Sequence, residues 1–425
     1  MALINAFSQI FRDRDLRKRV FITLALLLVF RVFASLPIPG ADRVRLAAFF
    51  GESQFLGLVN VFSGGALSNF SLAMLGVGPY ITATIILQLL TMIFPALKEM
   101  YYEEGEAGRA KFNQYSRYLT VFLALIQGFS LLNYLKLNGV LSALGSFDIA
   151  RNIILITAGS MFLMWLGELI SEQKIGNGIS LLIFAGIVTE IPLSIRNNIL
   201  TFDYSKIPGY LMFAVVALIT LAGVVLINES ERRIPVNYAK RVRGMKIYGG
   251  ASSYLPLKVN QAGVIPIIFA LSFLMFPGIL AQIMQLSKNV YLLKVALTLQ
   301  TLVNNPLFYG ITYFVLVFAF TYFYTIITFE PNEISNNLQK QGGFIPGIRP
   351  GTNTAQFLSK TLYRITFLGA LFLALIAVLP LLVQGLTGVT SLKLGGTSLL
   401  IVVSVALETI RQIRSQLLMR EYEAF

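Results

Sequence analysis

The side chains that most often perform chemistry are scarce in this chain. It contains no histidine and no cysteine. Imidazole acid–base work, thiol nucleophiles, disulfides and Cys- or His-based metal sites are therefore excluded. Residues 105–111 (GEAGRAK) lack the GxxxxGK[ST] spacing of a phosphate-cradling loop and follow no strand pattern. Four ionisable residues lie inside long apolar stretches: Arg31, Glu168, Glu190 and Glu408. In a membrane each is a functional hypothesis, and each has a structural alternative. Glu168 stands near one end of its stretch, and Glu190 stands two residues before Pro192. Glu408 can pair with Arg411 one turn later. Arg31 is long enough to snorkel toward an interface. Paired carboxylates are missing from the interiors of these stretches. The expectation is a passive conduit driven from outside: no enzyme, no cofactor, no metal.

The elements that must position such a conduit are membrane helices. The 425 residues are 56% hydrophobic and only 13% charged, with mean hydropathy +0.72. A soluble domain carries about 25% charged residues, and a spanning helix needs roughly 20 apolar ones. Spans are expected near 20–36, 77–97, 116–136, 152–170, 179–199, 208–228, 262–286, 306–329, 364–386 and 397–417. The weaker alternation of a membrane β-barrel is absent. Of the 34 Lys and Arg residues, 24 fall in or beside alternate connections and tails, 9 in or beside the others, and Arg31 within a span. This asymmetry places both termini in the cytoplasm. The basic patch at 12–19 precedes a first span with no small-residue cleavage site after it, so that span is expected to be retained. The net charge of +14 follows mostly from topology and from anionic inner-leaflet lipid as a partner.

The apolar stretch 55–75 is an exception. Gly76-Val77-Gly78-Pro79 separates it from the next span with no room for a hairpin. Counting it as a crossing would invert the charge bias of every later loop. It is read as a re-entrant half-helix that enters from the non-cytoplasmic side, broken by Gly64-Gly65; the alternative is a helix lying on the outer leaflet. Non-helical backbone at membrane depth needs protein or a water-filled cavity around it. Ten spans also divide into five and five, which forces opposite orientations and puts a site between the halves. The halves are 1–203 and 204–425. Two basic-side loops, 229–261 and 330–363, are too long for plain connectors. Their Arg232, Arg233, Lys240, Arg241 and Arg243, with Tyr238, Tyr248 and Phe344 nearby, read either as lipid-facing charge or as a platform for an anionic partner.

The same residues carry a family resemblance. Residues 60–68 (NVFSGGALS) running into 76–81 (GVGPYI) resemble the plug and second helix of the SecY family, the channel subunits of the bacterial Sec translocon. The likeness continues through 105–109 (GEAGR), 164–168 (MWLGE), 175–180 (IGNGIS), 233–241 (RIPVNYAKR), 257–260 (LKVN), 344–351 (FIPGIRPG) and 395–401 (GGTSLLI). The resemblance implies an all-α polytopic membrane protein with ten transmembrane helices. These form two inverted five-helix halves around a central hourglass pore. It implies a pore ring of Val77, Ile81, Ile179, Ile183, Ile268 and Ile401, an apolar waist that excludes ions by dewetting. Val77 departs from a known member's Ile, so the ring there is implied to be slightly wider. It implies a plug at about 60–75, including Asn60, Phe62, Ser63, Gly64, Gly65 and Leu67. A lateral gate is implied with Gln88 and Asn260 as polar positions, joined by a hydrogen bond worth about 1 kcal/mol. Arg349 is implied in motor coupling. The implied partners are SecE, SecG, the motor ATPase SecA, the ribosome with its RNA, and unfolded preproteins with their signal sequences. The implied place is the bacterial cytoplasmic (inner) membrane. A secondary transporter for a small solute, and an insertase without an aqueous path, are the rival readings.

Overall fold

The computed structural model describes residues 13–39, 60, 63–137, 139–141, 145–200, 204, 207–238, 241–243, 246–248, 252–285, 289–387 and 396–423. Of the residues singled out above, Phe62 and Lys240 lie outside these. The helices are α1 (Arg14–Ser35), α2 (Gly78–Ile93), α3 (Pro95–Tyr102), α4 (Gly105–Leu137), α5 (Ser146–Glu172), α6 (Gly178–Leu200) and α7 (Ile207–Glu229). After a small sheet come α8 (Ile265–Gln285), α9 (Val290–Asn304), α10 (Pro306–Thr328), α11 (Pro331–Lys340), α12 (Thr352–Thr387) and α13 (Gly396–Glu423).

Each expected stretch contains a helix, but by length and composition six helices suffice to cross a membrane, or seven if α2 and α3 count as one bent span. The α2–α3 bend is 113°. It falls where Pro95 follows Phe94, an extended residue, because proline disfavours a helical predecessor. Helix α1 opens on Arg14, Arg17, Lys18 and Arg19, so its apolar part is short. Asp13 caps it by accepting bonds from the Asp15 and Leu16 amides. Asn305 does the same for α10, whose first residue is Pro306. Two helices exceed their expected spans by more than ten residues: α4 has 33 residues and α12 has 36. Much of loops 98–115 and 330–363 is thus helical. Helix α9 lies in a stretch read as a plain connection, capped by Asn289.

The all-helical expectation needs one addition. Loop 229–261 folds into strands β1 (Glu231–Tyr238), β2 (Arg241–Arg243), β3 (Lys246–Tyr248) and β4 (Ser252–Lys258). Strand β1 pairs antiparallel with β4, from Glu231–Lys258 to Asn237–Ser252. Its other edge pairs with β5 (Gly343–Phe344) through Asn237–Phe344 and Tyr238–Gly343. The two long loops therefore form one body. Ile234, Val236 and Leu257 from the first loop and Ile345 and Leu358 from the second segment are buried together beneath it.

Among the helices, α4 packs on α2 and α5, and α5 on α6. Helix α10 packs on α8 and α12, and α13 on α7 and α12. Helix α8 crosses to α2 and α4, while α13 reaches α6. Small residues permit the closest approaches. A Cβ on Gly159 of α5 would overlap the Leu72 carbonyl, whereas one on Gly278 of α8 would meet nothing within 4 Å. Gly159→Ala is therefore expected to destabilise the protein by ~1–3 kcal/mol through overpacking. Gly278→Ala should leave the midpoint unchanged or raise it. Thermal unfolding of both variants in one detergent checks the pair.

Candidate functional site

Between α1 and α2 the described backbone is helical only at Asn60. Residues 63–77 form consecutive turns, so the expected half-helix is absent from this stretch. The reason is local. Gly64, Gly65 and Gly76 have φ of 66°, 79° and 58°, and Phe70 has φ of 46°. Left-handed residues cannot continue a right-handed helix. Side chains and neighbouring chain replace the helical bonds. The Ser68 amide donates to Asn60 Oδ1 at 2.7 Å. The Leu67 amide donates to Ser63 Oγ, and the Ser71 hydroxyl donates to the Ala66 carbonyl. The Ile38 amide donates to the Phe70 carbonyl at 2.8 Å, and the Leu72 amide to the Leu36 carbonyl at 3.1 Å. Arg31 does not snorkel: its Nη1 donates to the Gly64 carbonyl at 2.6 Å.

The residues assigned to a ring come together. Val77, Ile81, Ile183, Ile268 and Ile401 are buried in one apolar cluster, and Ile179 packs against it. They arrive from the N-cap and first turn of α2, from α6, from α8 and from α13. Ala66 and Ala73 of the turn segment belong to the same cluster, whereas Leu67 is buried in a neighbouring one. Ile81, Ile179 and Ile268 also line an open cavity of about 620 Å³. Its other walls are mixed: Gln88, Asn177 and the Arg117–Glu168 pair reach it, and so do Ile265, Phe269 and Tyr324. Arg117 grips Glu168 with two bonds, Nε to Oε1 at 3.0 Å and Nη2 to Oε2 at 2.9 Å. A larger cavity of about 830 Å³, between α3, the α10–α11 junction and α12, touches no ring residue.

The expected bond between Gln88 and Asn260 is replaced by another arrangement. Asn260 Nδ2 donates to Asn228 Oδ1 at 2.8 Å and to the Gly263 carbonyl at 3.1 Å. Asn228 Nδ2 donates onward to Ser404 Oγ at 2.7 Å. Gln88 Oε1 and Asn260 Oδ1 are both buried without a partner. Nearby, Arg411 pairs with Glu229 at 2.7 Å rather than with Glu408, and also reaches the Asn228 carbonyl. Glu190 stands against Gly65.

Of the basic loop residues, Arg232, Arg233 and Arg349 are exposed. Arg233 meets Glu231 at 2.8 Å. Arg241 and Arg243 sit in the β2–β3 hairpin, opposite Tyr248 and Lys246. Arg349 lies in a tight turn whose carbonyls are held by side chains: Thr354 donates to Arg349 at 2.9 Å and Ser335 to Gly351 at 2.6 Å.

A family model described as SecY matches residues 71–410. The chain belongs to the SecY family. It is 44% identical to the protein translocase subunit SecY of Corynebacterium glutamicum, covering 99% of both chains. It is 45% identical to that of Thermotoga maritima, covering 99% of this chain and 97% of the other. Among solved structures it is similar to one described as a protein conducting channel, with TM-score 0.60 and 19% identity over 92% of this chain and 90% of that one. It is also similar to Sec61 in the canine ribosome–channel complex from the endoplasmic reticulum, with TM-score 0.58 and 18% identity over 92% of this chain and 90% of that one.

For this SecY-family member, sequence reasoning missed the Asn228–Asn260–Ser404 chain, whose partners lie 32 and 176 residues apart. No local pattern marks such a pairing. Arg31 was visible as an ionisable residue within a span, but its acceptor was not. The asparagine chain yields a prediction. Asn228→Ala removes partners of both Asn260 and Ser404, and leaving buried polar groups unpaired costs about 1–3 kcal/mol. The expected result is a lower thermal midpoint in detergent, with Ser404→Ala losing less.

Proposed function

We propose that this multi-pass membrane protein is the channel subunit through which unfolded secretory polypeptides cross the bacterial cytoplasmic membrane. Hydrophobic segments leave it sideways into lipid. Full-length relatives named as translocase subunits support the translocating channel, and the small-solute carrier finds no comparable support. In the finer reading, ten helices form inverted halves, 1–203 and 204–425, with both termini in the cytoplasm. The single observation that carries the pore is the convergence of Val77, Ile81, Ile179, Ile183, Ile268 and Ile401 on one apolar cluster beside an open cavity that polar and charged side chains also reach. Aliphatic side chains offer no hydrogen-bond selectivity, so any extended polypeptide can slide past them, and a narrow apolar waist excludes ions when empty.

The turn segment, with Ser63, Gly64, Gly65 and Leu67 and the preceding Asn60, acts as the plug in this reading, a role the resemblance extends to Phe62. Gln88 and Asn260 lie at the lateral gate, where α8 packs on α2 and α4. Lateral opening slides these helices apart, and the unpaired oxygens of Gln88 and Asn260 then gain new neighbours. The loop-rich end, with Arg232 and Arg233 of β1, Arg241 and Arg243 of the β2–β3 hairpin and Arg349 of the neighbouring turn, docks the motor ATPase SecA or the anionic RNA of a ribosome, and Lys240 adds a further basic residue to that stretch of sequence. Support for the ribosome comes from neighbours of this fold described in ribosome complexes. SecE and SecG are the small membrane partners, and the exposed apolar surface of α7, including Leu218, Ile219 and Leu226, is available to one of them or to lipid.

The test uses the chain reconstituted with its membrane partners in planar bilayers. Ile81→Gly and Ile183→Gly together are expected to raise resting ion conductance, because glycine widens and wets the waist. Unchanged conductance would overturn the ring. Because the chain has no cysteine, single cysteines at 81, 179, 183, 268 and 401 should each crosslink to a stalled secretory chain and to little else.

A further inference from the structure

We propose that Arg31 is a positioning residue that latches the turn segment 63–77 in its closed seat. This rests on the reading of that segment as the plug of a channel. Arg31 belongs to the first helix, and its guanidinium reaches the carbonyl of Gly64, 33 residues away. An arginine within an apolar span is costly unless it faces a partner or water. Here the partner is backbone, at a residue whose φ of 66° favours glycine.

The seat itself is tight. A Cβ on Gly64 would lie 2.7 Å from Gly186 Cα of α6 and 3.5 Å from Phe30, the residue beside Arg31. On the next residue, a Cβ on Gly65 would run into the Glu190 carboxylate. Two glycines in left-handed conformation are thus wedged between α1 and α6, with a cation on one flank and a carboxylate on the other. Farther along, the segment is held by buried Leu67, Phe70 and Met74 and by backbone bonds to Leu36 and Ile38, but at Gly64 and Gly65 glycine offers no side chain to hold this end. The charge-assisted bond from Arg31 attaches this glycine end, and such bonds are roughly twice as strong as neutral ones. When the segment leaves, the guanidinium loses this acceptor and must be met by water. Release is thereby tied to wetting of the funnel. Because the acceptor is a main-chain carbonyl, the latch depends little on which side chains the segment carries.

The test exploits the absence of cysteine. Ala66, fully buried in the central cluster, is changed to Cys in the full chain reconstituted with its membrane partners. Its reaction rate with a charged, membrane-impermeant maleimide then reports how often the segment lifts. Adding Arg31→Leu is expected to speed labelling about tenfold, as loss of one bond to a charged donor implies, and to raise resting conductance. Arg31→Lys, which keeps a charged donor, should label close to the parent. Arg31→Gln stands in if the Leu variant does not accumulate. The proposal fails if the Leu or Gln variant labels like the parent while Gly64→Val labels faster. It fails also if Lys labels as fast as Leu. The ring variant Ile81→Gly with Ile183→Gly separates the two readings. Leak there without leak in Arg31→Leu keeps the channel and removes the latch, whereas leak in neither removes the channel reading on which the latch depends.

Discussion

Backbone amides and carbonyls that leave regular helix inside an apolar bundle must find other partners, and this requirement governs the middle of the molecule. Residues 63–77 abandon the helix at three glycines and at Phe70. Their polar groups are then met one by one: by Asn60, by serine hydroxyls, by the chain at Leu36–Ile38, and by Arg31. Gly159 and Gly186 give up side chains so that this backbone can approach α5 and α6. A transmembrane protein tolerates irregular backbone only when it is enclosed in this way or faces water. The helices around the segment are therefore a container for it as much as a bundle in their own right.

The contrast between two kinds of buried contact gives the site its character. The apolar cluster includes the small residues Ala66 and Ala73 of the turn segment and draws its aliphatic side chains from eight helices, α2, α5, α6, α7, α8, α10, α12 and α13. Such contacts are non-directional, so helices can slide or part without breaking a specific bond. The directional contacts lie off to the side. Arg117 and Glu168 join α4 to α5, and Asn228 links the 260 region to α13 through Ser404. Within each helical neighbourhood the polar bonds hold elements together, while α8 and α2 share the apolar cluster through Ile267, Ile268, Ile81 and Ile85.

At the loop-rich end, strand β1 is hydrogen-bonded on both edges, to β4 and to β5. Both edges of one short strand being occupied makes the sheet a rigid support rather than a pair of hairpins. Ile345 and Leu358 seal it from below together with Ile234 and Leu257. Arg232 and Arg349, from loops over a hundred residues apart, are thereby presented by a single body.

Hydropathy placed a helix in each expected span, because burial in lipid acts on each stretch independently of its neighbours, but it did not mark α9 or α11, and the apolar stretch 63–77 formed turns. All ten apolar stretches contain helix. The lack of histidine and cysteine likewise bounded the chemistry without any structure, and Gly76–Pro79 marked where the first long interruption ends. Only the tertiary structure decided the rest. Glycine signals a break but not its form, so the half-helix gave way to turns once neighbours could supply bonds. Arg411 chose Glu229 over Glu408, and Asn260 chose Asn228 over Gln88, because long side chains pair with whatever the packing brings near. The joining of two loops into one sheet depended on strands of two to eight residues, too short to register against the helical pattern around them. Such choices follow from distances between elements far apart in sequence, and no local periodicity encodes those.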